Sequence, residues 1–357
     1  AGVLRGKPTP MTSAKTVDVR VPADAEFVIE GRLEPGERRV EGPFGDHFGH
    51  YSGAAEFPVF HINAITRKRS PVYPATVVGK PPQEDRALGD AAQLATKPLI
   101  RLMRKEVRDM WSYYESGFHN LLVVSVDSRY SREQMKTAFG ILGEGQLSLT
   151  KVLVLVDSAT DPSDTKSVAR AVSRNFRAET DFRLLAHTAQ DTLDFTGDAF
   201  EKGSKMVLDA TGYGHEPDRI DGPKLRFDPT TLSSAILKHR LLCDNILVLR
   251  VKSGYPEQRA LLEQAVNDPR AKSLKAVVLV SDDVDIEDDV ELIWGIFTRF
   301  DCALDVVFTG QRFVGITPVY SGVMGIDATW KPGYQKPLEM DPDIVRLVDR
   351  RWSEYWD

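Results

Sequence analysis

The sequence predicts an α+β protein in which a β-rich, barrel-like segment precedes two similar α/β units. Three observations carry this. Residues 1–85 hold β-branched and aromatic runs broken by Pro, Gly and Asp. From about residue 118, apolar strand-like runs alternate with helical patterns. The landmarks of this α/β stretch then recur, in the same order, in the second half. The expected division is 1–110 for the β-rich segment, 111–240 for the first α/β unit and 241–357 for the second with a C-terminal tail.

In chain order, the first strands expected are Glu26–Glu30, Phe57–Ile65 and Val72–Val78. Prolines inside them favour edges or bulges, so a barrel or an irregular sheet is expected and not a flat one. Between Gly89 and Val107, Ala91, Leu94, Leu99, Leu102 and Met103 recur at helical spacing. Leu121–Val126 reads as a buried strand. Ser131-Arg-Glu-Gln134 offers a capping box, the Ser hydroxyl serving free helix amides and the Gln reaching back. Val152–Val156 is a second buried strand, and Asp161-Pro162 suits a helix start.

The repeat pairs Asn120–Tyr130 with Asn245–Tyr255, Lys151–Asp157 with Lys275–Val280, and Met206–Thr211 with Met324–Thr329. Val/Leu runs are generic to buried strands. The Tyr130/Tyr255 and Asp-Ala-Thr matches are not generic, and they carry the expectation of duplication.

Composition narrows the function. The 357 residues are 42% hydrophobic, enough for one large core or several smaller ones. The net charge of −6 argues against a duplex nucleic-acid binder, which needs a basic surface. The two cysteines, Cys243 and Cys302, make no disulfide scaffold and favour a reducing cytoplasm. No apolar run approaches the roughly 20 residues that span a bilayer, and the N-terminus lacks a signal-peptide core. The chain opens at Ala1 without an initiator Met, so a missing preceding part is expected.

The chemistry centres on Glu41 and Asp46. Five residues apart, they share no face of a regular helix or strand. Gly42, Pro43 and Gly45 forbid both regular forms, and the turn they make could bring both carboxylates toward one cavity. Carboxylates so placed would perturb each other, one staying protonated while the other ionises. The alternative is a surface loop whose acids are solvated. Other motifs are weaker. His47, His50 and His61 lack the ordered spacing of a metal site. Gly140–Gly145 has the wrong glycine order for a dinucleotide loop and reads as a helix end. Gly203-Ser-Lys205 lacks the rest of a phosphate loop. Trp294, Phe297 and Phe300, at helical spacing, read as core or interface.

Glu41-Gly-Pro-Phe-Gly-Asp46-His-Phe-Gly-His-Tyr51 resembles the signature loop of the UbiD family of decarboxylases. Lys15–Glu30 upstream and Gly79-Lys-Pro-Pro-Gln-Glu-Asp85 downstream resemble that family too, as does Ala1–Gly6. The likeness covers roughly residues 1–210, and the duplicated second half resembles the long members associated with menaquinone biosynthesis. The resemblance implies a split-barrel, flavin-reductase-like N-terminal segment and a carboxy-lyase activity. In it, prenylated FMN forms an adduct with an aromatic or α,β-unsaturated acid, carbon dioxide leaves, and an acid supplies a proton. By motif position, Glu41 resembles the carboxylate that partners an active-site Arg and Asp46 the proton donor. His47-Phe-Gly-His50 departs from the commoner His-Thr-Gly, which bears on pocket shape.

The resemblance also implies a divalent metal, Mn2+, and K+, with ligands that lie upstream of Ala1 together with the catalytic Arg and most flavin-phosphate contacts. None of these can be assigned in this chain. It further implies a flavin prenyltransferase as cofactor supplier and a homo-oligomer, to which the Trp294, Phe297, Trp352 and Trp356 surfaces would contribute. The competing expectation is a non-catalytic assembly or binding subunit of the same fold that lacks the flavin site.

Overall fold

The computed structural model describes residues 2–220 and 222–356. A helical turn α1 (Gly2–Arg5) leads to β1 (Met11–Ser13) and β2 (Arg20–Pro22), a short antiparallel pair. β3 (Phe27–Glu41) and β4 (Ala55–Arg67) then form a long antiparallel ribbon from Phe27↔Arg67 to Glu41↔Ala55. Its register shifts at Glu30/Gly31 and between Leu33 and Arg38, where Pro35-Gly36 interrupts pairing.

Among the described residues before β5 (Val107–Ser112), the strands therefore make two separate two-stranded ribbons and not a closed barrel. The expected strand Val72–Val78 does not form. Pro71 and Pro74 remove amide donors from it and bias their neighbours away from ladder pairing. α2 (Asp85–Met103) replaces the helix expected at 89–107. It tolerates Pro98 and leans on the next strand through Gln93, whose amide brackets the Ser112 backbone at 2.6 and 3.0 Å.

The first five-stranded sheet contains β5 (Val107–Ser112), β6 (Leu121–Val126), β7 (Val152–Asp157), β8 (Phe182–Ala189) and β9 (Lys202–Ala210), in the order β5-β6-β7-β9-β8. Its helices are α3 (Glu133–Leu142), α4 (Thr165–Asn175) and the single turn α5 (Ala178–Asp181). The second sheet contains β10 (Ile236–Leu242), β11 (Ile246–Val251), β12 (Ala276–Ser281), β13 (Val306–Val314) and β14 (Thr317–Ala328), ordered β10-β11-β12-β14-β13. Its helices are α6 (Gln258–Asn267) and α7 (Asp289–Phe297), and α8 (Pro342–Arg351) follows. In both sheets the inner pairs are parallel and the outer pairs antiparallel. The chain is thus mixed α/β with two five-stranded mixed sheets.

The sequence landmarks occupy matching places. Leu121 faces Val152 as Ile246 faces Ala276, and Val152 faces Met206 as Ala276 faces Met324. Asp209 Oδ1 accepts from Thr211 N at 3.1 Å and Oγ1 at 2.6 Å, and Asp327 does the same with Thr329 at 3.1 and 2.6 Å. Positions 110 and 240 fall inside β5 and β10, whose registers tie each whole strand to its sheet.

Alternation on doubly buried strands builds three cores. Leu122, Val124, Leu153 and Leu155 meet α3 on one outer face. Leu247, Leu249, Val277 and Leu279 meet α6 on the other. Val123, Val154, Leu208, Val248, Val278 and Ile326 point into a shared core between the sheets, where α4 and α7 lie. A buried ion pair of the first unit sends one bond across this junction. Lys151 Nζ, fully buried, sits 2.8 Å from Asp194 and donates to Phe300 O at 2.8 Å.

Two helix starts differ from expectation. Ser131 caps nothing, because α3 begins at Glu133 after a left-handed Arg132. Glu133 turns back to accept from Arg129 N at 2.8 Å, and Gln134 donates to Asp209 at 2.9 Å. α4 is capped by Asp164, which accepts from Lys166 N at 3.1 Å, while Asp161 closes the preceding turn onto Ser163. The Gly140–Gly145 segment does end a helix, with Gly143 at its C-cap. Trp294 is almost completely buried and is not an interface residue, whereas Trp352 and Trp356 are exposed and face each other at 5.4 Å.

Candidate functional site

The Glu41–Tyr51 segment leaves β3 and folds into a tight loop. Gly42 adopts φ +92°, where a Cβ would come within 2.9 Å of Gly53 O. Phe44 and Ser52 then clasp the loop: Ser52 N donates to Phe44 O at 2.8 Å, and Phe44 N donates to Ser52 Oγ at 3.1 Å. At the tip, Gly49 N donates to Asp46 O at 3.1 Å. Gly49 has φ +79°, and a Cβ there would lie 2.4 Å from Trp294 Nε1. Only glycine fits, for both reasons.

Distant elements hold the loop. Trp294 of α7 donates from Nε1 to Phe48 O at 3.2 Å and stacks on His50 at 4.9 Å between ring centroids. Arg299 lies over the Trp294 ring at 4.4 Å and binds Asp283 through two 2.7 Å bonds. A segment beyond β14 straps the loop: Tyr51 N donates to Lys336 O at 3.0 Å and Leu338 N to Gly49 O at 2.9 Å. Phe48 is buried against Phe195.

The loop thereby presents Asp46 and His47 to a cluster of acids. Asp46 Oδ1 accepts from His47 N and pairs with His47 Nδ1, both at 2.7 Å. The His47 bond holds the Asp46 carboxyl below its ordinary range, against burial and the charge of Asp191. Burial disfavours charge on His47, but Asp46, Asp191 and Asp85 outweigh it and raise the imidazole above an ordinary histidine. Asp191 pairs with His119 Nδ1 and receives Leu193 N at 2.9 Å. Burial pushes its carboxyl up, yet these bonds leave it depressed.

Asp85, at the start of α2, is buried, and burial raises its pKa. Tyr114 lies against it, with a hydroxyl raised by burial and by that neighbour. Neither carboxylate oxygen of Asp85 nor the Tyr114 hydroxyl makes a hydrogen bond of ordinary geometry among the described residues. Buried polar atoms without partners are rare and mark a place where a ligand or proton could be received.

The expected pair is thus split. Asp46 enters the cluster, while Glu41 stays at the exposed end of β3 with no side-chain hydrogen bond or ion pair among the described residues. The three histidines are also separate. His47 pairs with Asp46, His61 pairs with Glu37 at 2.5 Å on the ribbon, and His50 is buried under Trp294. Among the described residues, no group of three or more His, Cys, Asp or Glu could hold a metal ion.

Sequence reasoning missed His119, Asp191 and Tyr114. His119 and Asp191 stand 72 positions apart with no motif between them. The available signal was their position in loops flanking predicted strands, and that is too common to single them out.

Residues 1–81 match the family model described as the 3-octaprenyl-4-hydroxybenzoate carboxy-lyase Rift-related domain. Residues 86–210 and 221–328 match the C-terminal domain of the same carboxy-lyase. An uncharacterised protein of Chlamydia trachomatis is 38% identical over 336 residues, covering 93% of this chain and 56% of the relative. A 4-hydroxybenzoate decarboxylase subunit of Chlamydia pneumoniae is 36% identical over 341 residues, with 93% and 56% covered. The chain therefore spans about half the length of the curated relatives it matches. The vanillic acid decarboxylase of Sedimentibacter hydroxybenzoicus in closed form superposes with a TM-score of 0.55 at 26% identity, over 62% of this chain and 48% of that one. With two family models filling most of its length, this chain belongs to the UbiD family of carboxy-lyases.

Proposed function

We propose that this chain forms the proton-handling part of a decarboxylase acting on an aromatic or α,β-unsaturated carboxylic acid with prenylated FMN as cofactor. The observation that carries the reading is the Asp46–His47 pair held inside a cluster of Asp85, Asp191, His119 and Tyr114. Asp46 and His47 hold one proton between them, with His47 favoured as its carrier while Asp46 is ionised. The carbanion left when carbon dioxide departs takes a proton from Asp46, the proposed donor, and His47 returns its own proton to Asp46. The pair at His119 and Asp191, with Asp85 and Tyr114 beside each other, orients the substrate ring. Glu41, at the exposed strand end, is the proposed partner of an arginine from outside the described residues.

The cofactor divides into two tests. The carboxylate and imidazole cluster suits proton transfer beside a flavin. It does not suit the flavin phosphate, because Asp46 and Asp191, with Asp85 beside them, would repel a dianion there. Bound prenylated FMN would supply the electron sink for loss of carbon dioxide. Among the described residues, no group of three or more His, Cys, Asp or Glu would serve to hold Mn2+. A flavin prenyltransferase as supplier, a naphthoate-type substrate of menaquinone biosynthesis, a homo-oligomer and a cytoplasmic setting complete the proposal. Exposed Trp352, Tyr355 and Trp356 support the oligomer, and two free cysteines suit the compartment.

The test is carboxyl exchange with labelled bicarbonate across a panel of aromatic and conjugated acids, using full-length protein made in cells that supply prenylated flavin. Exchange on at least one acid is expected. Protein that binds the flavin yet exchanges none of them would favour the non-catalytic reading.

A further inference from the structure

The shared core between the sheets is not filled. It contains a cavity of about 520 Å3. Its walls come from both units: Val154 and Leu208 of the first sheet, Val278 and Ile326 of the second, with Val168 of α4 and Ile293 of α7. No residue of the 41–51 loop lines it, so it is separate from the site above. Voids in protein interiors seldom exceed a water molecule, and about 150 Å3 of apolar space suffices for benzene. This cavity is more than three times that, within the range of about 300–1,000 Å3 used for ligands.

The mouth adds charge. Lys166 and Arg170, one turn apart on α4, line it, and neither side chain makes a hydrogen bond or ion pair among the described residues. Arg240 also lines it but is held by Asp289 at 2.7 Å and Ile286 O at 2.7 Å. Asp244 is the one acid lining it whose side chain is unbonded among the described residues, so free cations outnumber free anions there. Cys243 and Asp244 form the turn at the rim, with φ +47° and +65°. Two consecutive non-glycine residues in the left-handed region are strained, and the fold holds them at the opening.

We propose that this inter-sheet cavity is a second binding site, for a monocarboxylic acid with a large apolar body whose carboxylate pairs with Lys166 and Arg170. The apolar walls take the body and the two cations fix the head, the usual division of labour in a ligand pocket. The site does not depend on the decarboxylase reading, and its test needs no turnover.

Cys243 provides the reporter, since it lies at the mouth and Cys302 is completely enclosed. Maleimide modification of Cys243 in the full-length protein is followed by peptide mass spectrometry, with dodecanoate as probe below its micelle concentration and dodecanol as the uncharged control. Saturating dodecanoate should slow modification at least tenfold, and dodecanol clearly less. A K166Q/R170Q variant, altered only at the two cations of the mouth, should need at least tenfold more dodecanoate for half-protection, the worth of one charge-assisted hydrogen bond. A folded Val278→Phe variant should lose protection because the ring fills the cavity. Absence of protection by dodecanoate would overturn the site. Equal protection by dodecanol, or an unaffected K166Q/R170Q variant, would overturn the carboxylate assignment. Protection that rises with protein concentration without any acid would assign the opening to a second copy of the chain instead.

Discussion

Replacing Asp46 by Asn in the full-length enzyme removes one charge and leaves the shape almost unchanged. The Asn side-chain oxygen can still accept from His47 N, now 2.7 Å from Asp46 Oδ1, so the loop backbone should survive. The bond from His47 Nδ1, also at 2.7 Å, loses its ionic character. Two effects then follow. First, the proposed donor is gone, and a positioned acid contributes about 100- to 10,000-fold, or about 2.7–5.5 kcal/mol of barrier at about 1.36 kcal/mol per decade. Second, His47 loses the largest influence raising its pKa, so its titration should move down. The sign for stability follows. A raised histidine adds stability that is full below its unfolded pKa of about 6.5 and fades as pH rises through the folded value. Asp46→Asn should therefore flatten the stability–pH curve as pH rises from about 6.5, as well as slow turnover. The assays are steady-state decarboxylation against pH and NMR titration of the His47 ring. Wild-type turnover in the variant would refute the donor assignment, and an unmoved His47 titration would refute the pairing.

Gly49→Ala should destabilise the fold and disturb the loop together, because φ +79° costs about 1–2 kcal/mol for alanine before the Trp294 clash is counted; thermal unfolding with matched near-ultraviolet dichroism checks it. Lys151→Met should cost about 3–5 kcal/mol, since it leaves fully buried Asp194 unpaired. The Lys151→Met/Asp194→Leu double variant should recover most of that in urea denaturation. His50 is held neutral by burial, with a pKa pushed down to about 3. The unfolded chain protonates near 6.5 and the folded one does not, so His50 should subtract stability progressively as pH falls from about 6.5 toward 3. His50→Gln should lessen that slope in acid titrations of the unfolding midpoint.

Much of this protein is determined by local sequence. Val/Leu runs such as Leu121–Val126 and Val152–Asp157 are long enough, and apolar enough on both faces, to become central parallel strands wherever they sit. The matched Asn120/Asn245, Lys151/Lys275 and Asp209/Asp327 landmarks also located the two sheets, because equal spacing along the chain becomes equal register between strands. The glycines of Gly42–Gly49 marked a loop through their backbone freedom alone.

Tertiary structure decided the rest. Ser131 could not cap α3 because Glu133 found Arg129, and Val72–Val78 stayed unpaired because a strand needs a neighbour as well as propensity. Spacing alone does not distinguish the loop's two acids. Only folding separated them, leaving Glu41 in solvent and setting Asp46 against His47 and Asp191. Trp294, a generic helical aromatic in the sequence, became the clamp on that loop from 246 positions away. Burial, charge proximity and unfilled volume depend on residues far apart in the chain, so short-range periodicity carries no record of them. The Asp85–Tyr114 contact exists only once α2 packs beside the turn between β5 and β6, and the cavity only once both sheets have closed around α4 and α7.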